Sequence, residues 1–136
     1  MLYNFSEMKS PGGKRDSVRI LVIDDEQVIR ELLYDALSRK GHLVDTAEDG
    51  PGGLAKARST PYDVIFTDIR MPGMDGLDVY RHLKLISPES RVIVMTGYGL
   101  EEIIQEALDL GAFADVKKPF DIDVIYGLVD DALESM

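Results

Sequence analysis

The chain has 136 residues, which fits one domain and leaves no room for a second domain of ordinary size. It contains no cysteine, so disulfides, thiolate zinc sites and cysteine nucleophiles are excluded. Its formal net charge of -10, from 25 acidic and 15 basic residues, disfavours direct binding to nucleic acid.

Residues 1–17 mix Ser, Gly, Pro and Lys without a period, which predicts a flexible N-terminal tail ahead of a domain over 18–136. The first residues lack a basic region followed by an apolar stretch, so no secretory signal is visible. The longest apolar runs fall far short of the ~20 residues that cross a bilayer. We therefore expect a cytoplasmic protein that does not engage a membrane.

From residue 18 onward, short apolar runs alternate with segments of helical period, the pattern of repeated strand–helix units. The predicted strands are 19–23, 42–47, 64–67, 92–95 and 113–117. The predicted helices are about 26–39, a glycine-rich one around 50–58, then 77–86, 100–110 and 122–134. This order predicts an α/β fold, a doubly wound five-stranded parallel sheet with helices on both faces.

Polar side chains stand where the predicted strands end, and this is the edge of an open parallel sheet at which ligands bind. Four different strands contribute them: Asp24 and Asp25, Asp68, Thr96, and Lys118. Residues from separate strands meet only in the folded sheet. We therefore expect three carboxylates, one hydroxyl and one ammonium to form a single polar cluster.

Three carboxylates in one cluster need compensation for their charge, and a hard divalent cation such as Mg²⁺ usually supplies it. Thr96 and Lys118 can hold the oxygens of a phosphoryl group, and backbone N–H groups near Arg70 and Gly97 can add donors. Asp68 is then the expected nucleophile, because an aspartate carboxylate that accepts phosphate is established covalent chemistry.

Each motif taken singly has a simpler interpretation. The Asp24-Asp25-Glu26 run can cap the following helix, Thr96 can cap a loop, and Lys118-Pro119 can form a surface turn. Their joint occurrence at four strand ends favours a functional site. Asp63 precedes the third strand and lies at the opposite edge of the sheet, while Asp75 is predicted to cap the third helix.

Four segments of the chain, in order, resemble the motifs of receiver domains of two-component response regulators. They are Val22 to Glu26, Phe66 to Gly76, Met95 to Gly97, and Lys118 to Phe120, and the resemblance covers about residues 18–134. It implies a flavodoxin-like sheet with strand order 2-1-3-4-5.

The resemblance also implies the roles of the acidic residues. Asp68 would be the phosphoacceptor, and Asp25 a direct Mg²⁺ ligand together with Asp68. Asp24 would act on the metal mainly through water, and the backbone carbonyl of Arg70 would complete the protein ligands.

On the phosphoryl side, the resemblance implies that Thr96 and Lys118 contact the phosphoryl group and that the Lys118–Pro119 peptide is cis. The family usually carries Tyr or Phe three residues before this lysine, whereas this chain has Asp115. The aromatic rotation of the family is not available at Asp115. Phe113 has the same strand parity and is the alternative source of a ring, although it lies a full repeat further away.

The sequence thus predicts a phosphorylation-dependent signalling switch. A histidine kinase or histidine phosphotransfer protein would phosphorylate Asp68, and a downstream output protein, or an output domain fused in a longer chain, would respond. The alternatives are a phosphate-independent interaction module and a Mg²⁺-dependent phosphatase with an aspartate nucleophile. Haloacid-dehalogenase-like phosphatases carry a general acid two residues after the nucleophile, where this chain has Arg70, so no enzyme is expected.

Overall fold

The computed structural model describes residues 17–71, 74–97 and 99–136, without the side chain of Met74. In chain order, the described strands are β1 (Arg19–Ile23), β2 (Leu43–Ala47), β3 (Val64–Asp68), β4 (Arg70–Met71), β5 (Met74–Asp75), β6 (Arg91–Thr96) and β7 (Ala114–Lys117). The described helices are α1 (Gln27–Arg39), α2 (Gly50–Ser59), α3 (Gly76–Ile86), α4 (Glu101–Asp109) and α5 (Ile122–Glu134). None of these helices has the length and apolar character to span a bilayer.

The five longer strands form one parallel sheet in the order β2-β1-β3-β6-β7. Counted over these five strands alone, this is the predicted order 2-1-3-4-5. The short strands β4 and β5 form a separate antiparallel ribbon, which the sequence did not predict.

Both faces of the sheet are covered, and the strands alternate their side chains between two hydrophobic clusters. In β1, Leu21 and Ile23 belong to one cluster, while Ile20 and Val22 belong to the other. The first cluster also contains residues of α2, α3 and α4, and the second contains residues of α1 and α5. Every residue of the central strand β3 is buried, which explains its continuous apolar run.

The helix ends follow local sequence signals. Gly41 and Gly111 have φ of 90° and 109° just after α1 and α4, the left-handed conformation that glycine adopts easily at a helix end. The glycine-rich α2 forms because Asp49 accepts a hydrogen bond from the N–H of Gly52 at 2.7 Å and Pro51 lies in the first turn.

Asp63 and Asp75 each accept a backbone N–H and have structural roles. Asp63 Oδ2 accepts the N–H of Arg19 at 2.8 Å, at the amino ends of β1 and β3. Asp75 accepts the N–H of Leu77 at 2.9 Å and caps α3, as predicted. Asp63 thus lies at the opposite edge from Asp68, whereas Asp75 pairs with Arg70 in the ribbon and serves the start of α3.

Candidate functional site

Lys118 joins the carboxyl ends of three strands. Its Nζ lies 2.6 Å from Asp24 Oδ2, 3.0 Å from Asp68 Oδ2 and 3.1 Å from Glu26 Oε1. Asp24 follows β1, Asp68 ends β3, and Lys118 follows β7. The parallel topology thus brings together residues that are far apart in the sequence, as the predicted strand ends required.

The carboxylates form a cluster that is buried at its base and open at its rim. Asp24, Asp25, Glu26 and Asp68 each offer an oxygen, and these oxygens lie within 4.8 Å of one another. Asp24 is fully buried and Asp68 is 5% exposed, whereas Asp25 and Glu26 are exposed. An all-oxygen donor set with solvent access fits Mg²⁺, which binds a few carboxylates and keeps several of its waters.

Burial opposes the charge on the two inner carboxylates. It raises the pKa of Asp24, and Lys118 together with the N–H of Glu26, 2.9 Å from Asp24 Oδ1, opposes this rise. Burial also raises the pKa of Asp68, and this is opposed by the N–H of Arg70, 3.0 Å from Asp68 Oδ1, and by Lys118.

Lys118 itself stays protonated. Burial alone would lower the pKa of its ammonium, but the hydrogen bonds and charges of Asp24 and Asp68 outweigh burial and raise the pKa above its ordinary value. The ammonium therefore neutralises part of the negative charge in the cluster.

Thr96 lies at the same edge of the sheet, as the last residue of β6, and is 2% exposed. Its neighbour Met95 pairs with Asp68 in the sheet. The Thr96 hydroxyl donates a hydrogen bond to the carbonyl of Gly97 at 3.0 Å, so in this structure it is engaged with the loop. Tyr98, two residues after Thr96, lies outside the described residues.

The peptide between Lys118 and Pro119 is cis, as the resemblance implied. Just before it, the N–H of Lys118 donates to the carbonyl of Thr96 at 2.6 Å. The ends of β6 and β7 are thus joined directly at the site.

The sequence predicts a helix start at Glu26 and includes this residue in the first receiver-like motif, but it does not predict the pairing of Glu26 with Lys118. Glu26 occupies the N-cap position of α1 without a side-chain capping hydrogen bond, and its carboxylate is paired with Lys118 instead. The only sequence signal for a role at the site is that Glu26 is the third consecutive acid after β1. The direction of the Glu26 side chain is set by its contact with the remote residue Lys118.

Asp115 lies next to the site, in a cavity between β7 and α4. The cavity has a volume of about 260 Å³ and is also lined by Thr96, Ile104 and Leu108. A half-buried carboxylate therefore lies beside Thr96, at the position where the family usually carries an aromatic residue.

Comparisons with known proteins identify the family to which the chain belongs. The family model "Response regulator receiver domain" matches residues 20–130. The chain is 38% identical over 107 residues to sporulation initiation phosphotransferase F of Bacillus subtilis, covering 79% of this chain and 86% of that protein. It is 40% identical over 114 residues to the DNA-binding transcriptional regulator NtrC of Salmonella typhimurium, covering 84% of this chain but only 24% of that protein.

Solved structures show the same fold. A response regulator receiver domain protein from Clostridium thermocellum superimposes with a TM-score of 0.80 at 33% identity, covering 86% of this chain and 94% of that chain. The chemotaxis protein CheY4 of Vibrio cholerae superimposes with a TM-score of 0.79 at 29% identity, covering 85% of this chain and 98% of that chain.

The fold and the site define a small α/β protein with an acidic pocket at the carboxyl edge of its sheet. The chain belongs to the response regulator receiver domain family. It is a receiver domain, the module that acts as a signalling switch in a phosphorelay.

Proposed function

We propose that Asp68 is the phosphoacceptor of this receiver domain and that its phosphodonor is a histidine kinase or a histidine phosphotransfer protein. The observation that carries the proposal is the ammonium of Lys118 between Asp24 and Asp68, which holds the Asp68 carboxylate at the buried base of an acidic pocket with an open rim. Asp68 is the one carboxylate of the cluster that ends the central strand β3.

Asp68 is held in place for nucleophilic attack. The N–H of Arg70 fixes one carboxylate oxygen and Lys118 the other. An Asp68 oxygen forms the new bond to phosphorus while the bond between phosphorus and the donor imidazole nitrogen breaks, and its electron pair stays on that nitrogen. Lys118 then pairs with the phosphoryl oxygens, and the Thr96 hydroxyl exchanges the Gly97 carbonyl for one of them.

The carboxylates of Asp24, Asp25 and Asp68 and the backbone carbonyl of Arg70 would hold a Mg²⁺ ion, with Asp24 acting mainly through water. Glu26 extends this donor set at the exposed rim. When bound, the ion would neutralise the negative charge that the phosphoryl group brings to the carboxylates.

The chain acts as a switch and does not turn over small-molecule phosphates. The position two residues after Asp68, where an aspartate-nucleophile phosphatase needs a general acid, is held by the exposed Arg70.

The response to phosphorylation is read by an output protein in the cytoplasm or by a fused output domain. Regulators such as NtrC, about four times as long as the matched segment, illustrate the fused arrangement. Neither nucleic acid nor membrane is a direct partner, given the net charge of -10.

The test is intact mass after incubation with Mg²⁺ and acetyl phosphate. We expect a single added phosphoryl group on the wild-type chain. Asp68→Asn and a sample with a chelator should show none. Asp109→Asn is the matched control, because Asp109 is exposed at the end of α4 and its side chain accepts a hydrogen bond from Gln105, away from the site.

Equal phosphorylation of wild type and Asp68→Asn would reject Asp68 as the acceptor. A folded wild-type chain that takes up no phosphate and binds no Mg²⁺ would reject the switch and leave a phosphate-independent interaction module.

A further inference from the structure

An open groove of about 780 Å³ lies at the amino ends of the strands, on the opposite side of the sheet from Asp68. The α2–β3 and α3–β6 connections and the C-terminal residue form its walls. Its apolar surface comes from Ala57, Pro61, Ile86, Pro88 and Met136. Pockets that enclose a drug-sized ligand measure roughly 300–1,000 Å³, so the groove is large enough for two or three side chains.

The groove adjoins the point at which the described chain begins. Arg19 donates its N–H to Asp63 Oδ2 at 2.8 Å, and the carbonyl of Asp63 accepts the N–H of Arg91 at 2.9 Å. Asp63 and Arg91 both line the groove. The segment that precedes Ser17 is therefore attached beside it.

That segment begins Met1-Leu2-Tyr3-Asn4-Phe5, so large apolar side chains are concentrated at its far end. The stretch 10–14 reads Ser-Pro-Gly-Gly-Lys, a linker composition. Phe5 and Ser17 are 17 − 5 = 12 positions apart. A flexible chain of that length has an end-to-end distance of roughly 20 Å, which reaches an adjoining groove.

Two polar atoms at the same edge lack hydrogen-bond partners among the described residues. These atoms are Ser17 Oγ and Arg19 Nε. Ser17 as a whole residue is only 4% exposed. Buried polar groups are nearly always hydrogen-bonded in native proteins. A chain segment that returns over this edge would supply such partners.

We propose that Leu2, Tyr3 and Phe5 fold back and pack into this groove, with the linker spanning the distance to Ser17. The tether makes docking intramolecular, at an effective concentration in the millimolar range, so a contact of modest intrinsic affinity suffices. The amino terminus is thereby anchored at the end of the sheet remote from Asp68. The proposal does not depend on the function proposed for Asp68.

A nitroxide label on the segment tests the proposal, and the absence of native cysteine makes a Ser6→Cys label unique. We expect broadening of amide resonances concentrated on residues 58–63 and 87–91. The same label on a Leu2→Ser/Tyr3→Ser/Phe5→Ser background should lose this localised broadening. Asn4→Ser/Glu7→Gln is the matched control and should retain it.

A groove variant, Pro88→Glu, places a charge on the exposed wall and should release the segment without a change in its sequence. The triple serine variant should also melt a few degrees below the control. Its phosphorylation by acetyl phosphate should be unchanged, which separates this proposal from that for Asp68.

Broadening spread evenly over the surface, with no difference between the triple variant and the control, would overturn the proposal. Groove broadening that grows with protein concentration would overturn it as well, because the occupant would then be the terminus of a second copy.

Discussion

The ammonium of Lys118 lies within 3.1 Å of three carboxylates, one of which, Asp24, is fully buried. A charge inside a protein is costly unless it is paired, and removal of one partner leaves the other uncompensated. Lys118 therefore serves the fold as well as the proposed chemistry. A bound Mg²⁺ would supply positive charge to the same carboxylates.

We predict that Lys118→Met lowers the free energy of unfolding by about 3 kcal/mol in a chelating buffer, the usual cost of one lost partner in a buried pair. The loss should be smaller with Mg²⁺ in excess, because the ion replaces the missing positive charge. Urea unfolding followed by circular dichroism measures both values. Lys117→Met changes the exposed neighbour and should have little effect in either buffer. An equal loss with and without Mg²⁺ would mean that the ion does not bind next to Lys118.

His42 illustrates a polar residue whose role is structural. It is 8% exposed, and its Nδ1 accepts the N–H of Val18 at 3.1 Å. Burial lowers the pKa of His42, and the nearby charge of Asp130 only partly opposes this. Below about pH 6.5, the ordinary pKa of histidine, the unfolded chain therefore takes up the proton before the folded chain does.

The free energy of unfolding should therefore fall as the pH drops below about 6.5. The fall should end once the pH is below the lowered pKa of His42 in the folded state. His42→Asn keeps an acceptor near the Nδ1 position but cannot titrate, so its free energy of unfolding should depend less on pH between about pH 7.5 and 5.5. Denaturant unfolding across that range measures the difference. The matched control is His82→Asn, since His82 is exposed on α3. If the His42→Asn and wild-type pH curves were parallel, the inferred direction of the pKa shift would be wrong.

At the scale of elements, the sequence predicted the five long strands and the five helices, because the short apolar runs, the segments of period 3.6 and the glycine signals agree along the chain. It did not predict the ribbon of β4 and β5, since strands of two residues have no detectable period. The meeting of Asp24, Asp68 and Lys118 could be predicted because the carboxyl ends of parallel strands lie at one edge of the sheet. The partners of Glu26 and of the Thr96 hydroxyl could not, because they depend on side-chain rotamers in the folded state.

The start of α3 shows how closely one helix is seated on the loop after β3. A Cβ added at Gly76 would overlap the backbone of Ile69, the residue that follows Asp68. Gly127 in α5 has open space around it. Glycine therefore has a packing role at the first position and none at the second.

We predict that Gly76→Ala destabilises the protein by about 2 kcal/mol, in the range of overpacking substitutions, because α3 and the backbone of Ile69 must move apart. Gly127→Ala should raise the free energy of unfolding by up to ~1 kcal/mol, through helix propensity alone. Chemical denaturation of the two variants beside wild type measures both. A neutral Gly76→Ala would show that α3 is not seated against that backbone.

For the whole molecule, the net charge of -10 opposes compaction, and the acidic pocket concentrates part of that charge at one edge of the sheet. Any cation screens the general repulsion. Only a cation that binds the pocket adds stability through a specific site.

Mg²⁺ should therefore raise the melting temperature more than NaCl of equal ionic strength. At tenfold excess over its dissociation constant, the gain corresponds to about 1.4 kcal/mol. Asp25→Asn removes an exposed carboxylate of the pocket and should abolish the Mg²⁺-specific part of the gain while leaving the general salt effect. Thermal melts in matched buffers give the comparison. An equal Mg²⁺ gain in wild type and Asp25→Asn would exclude Asp25 as a ligand.

The contacts of Lys118 also bear on the chain during its synthesis. Lys118 pairs with Glu26 and Asp68, which precede it by 92 and 50 positions. A ribosome releases Asp68 well before Lys118, so the Asp68 carboxylate emerges without the ammonium that balances it and without β7 to complete the sheet. Chains terminated early carry Asp68 but not the assembled acidic pocket, which forms only after Lys118 has been translated.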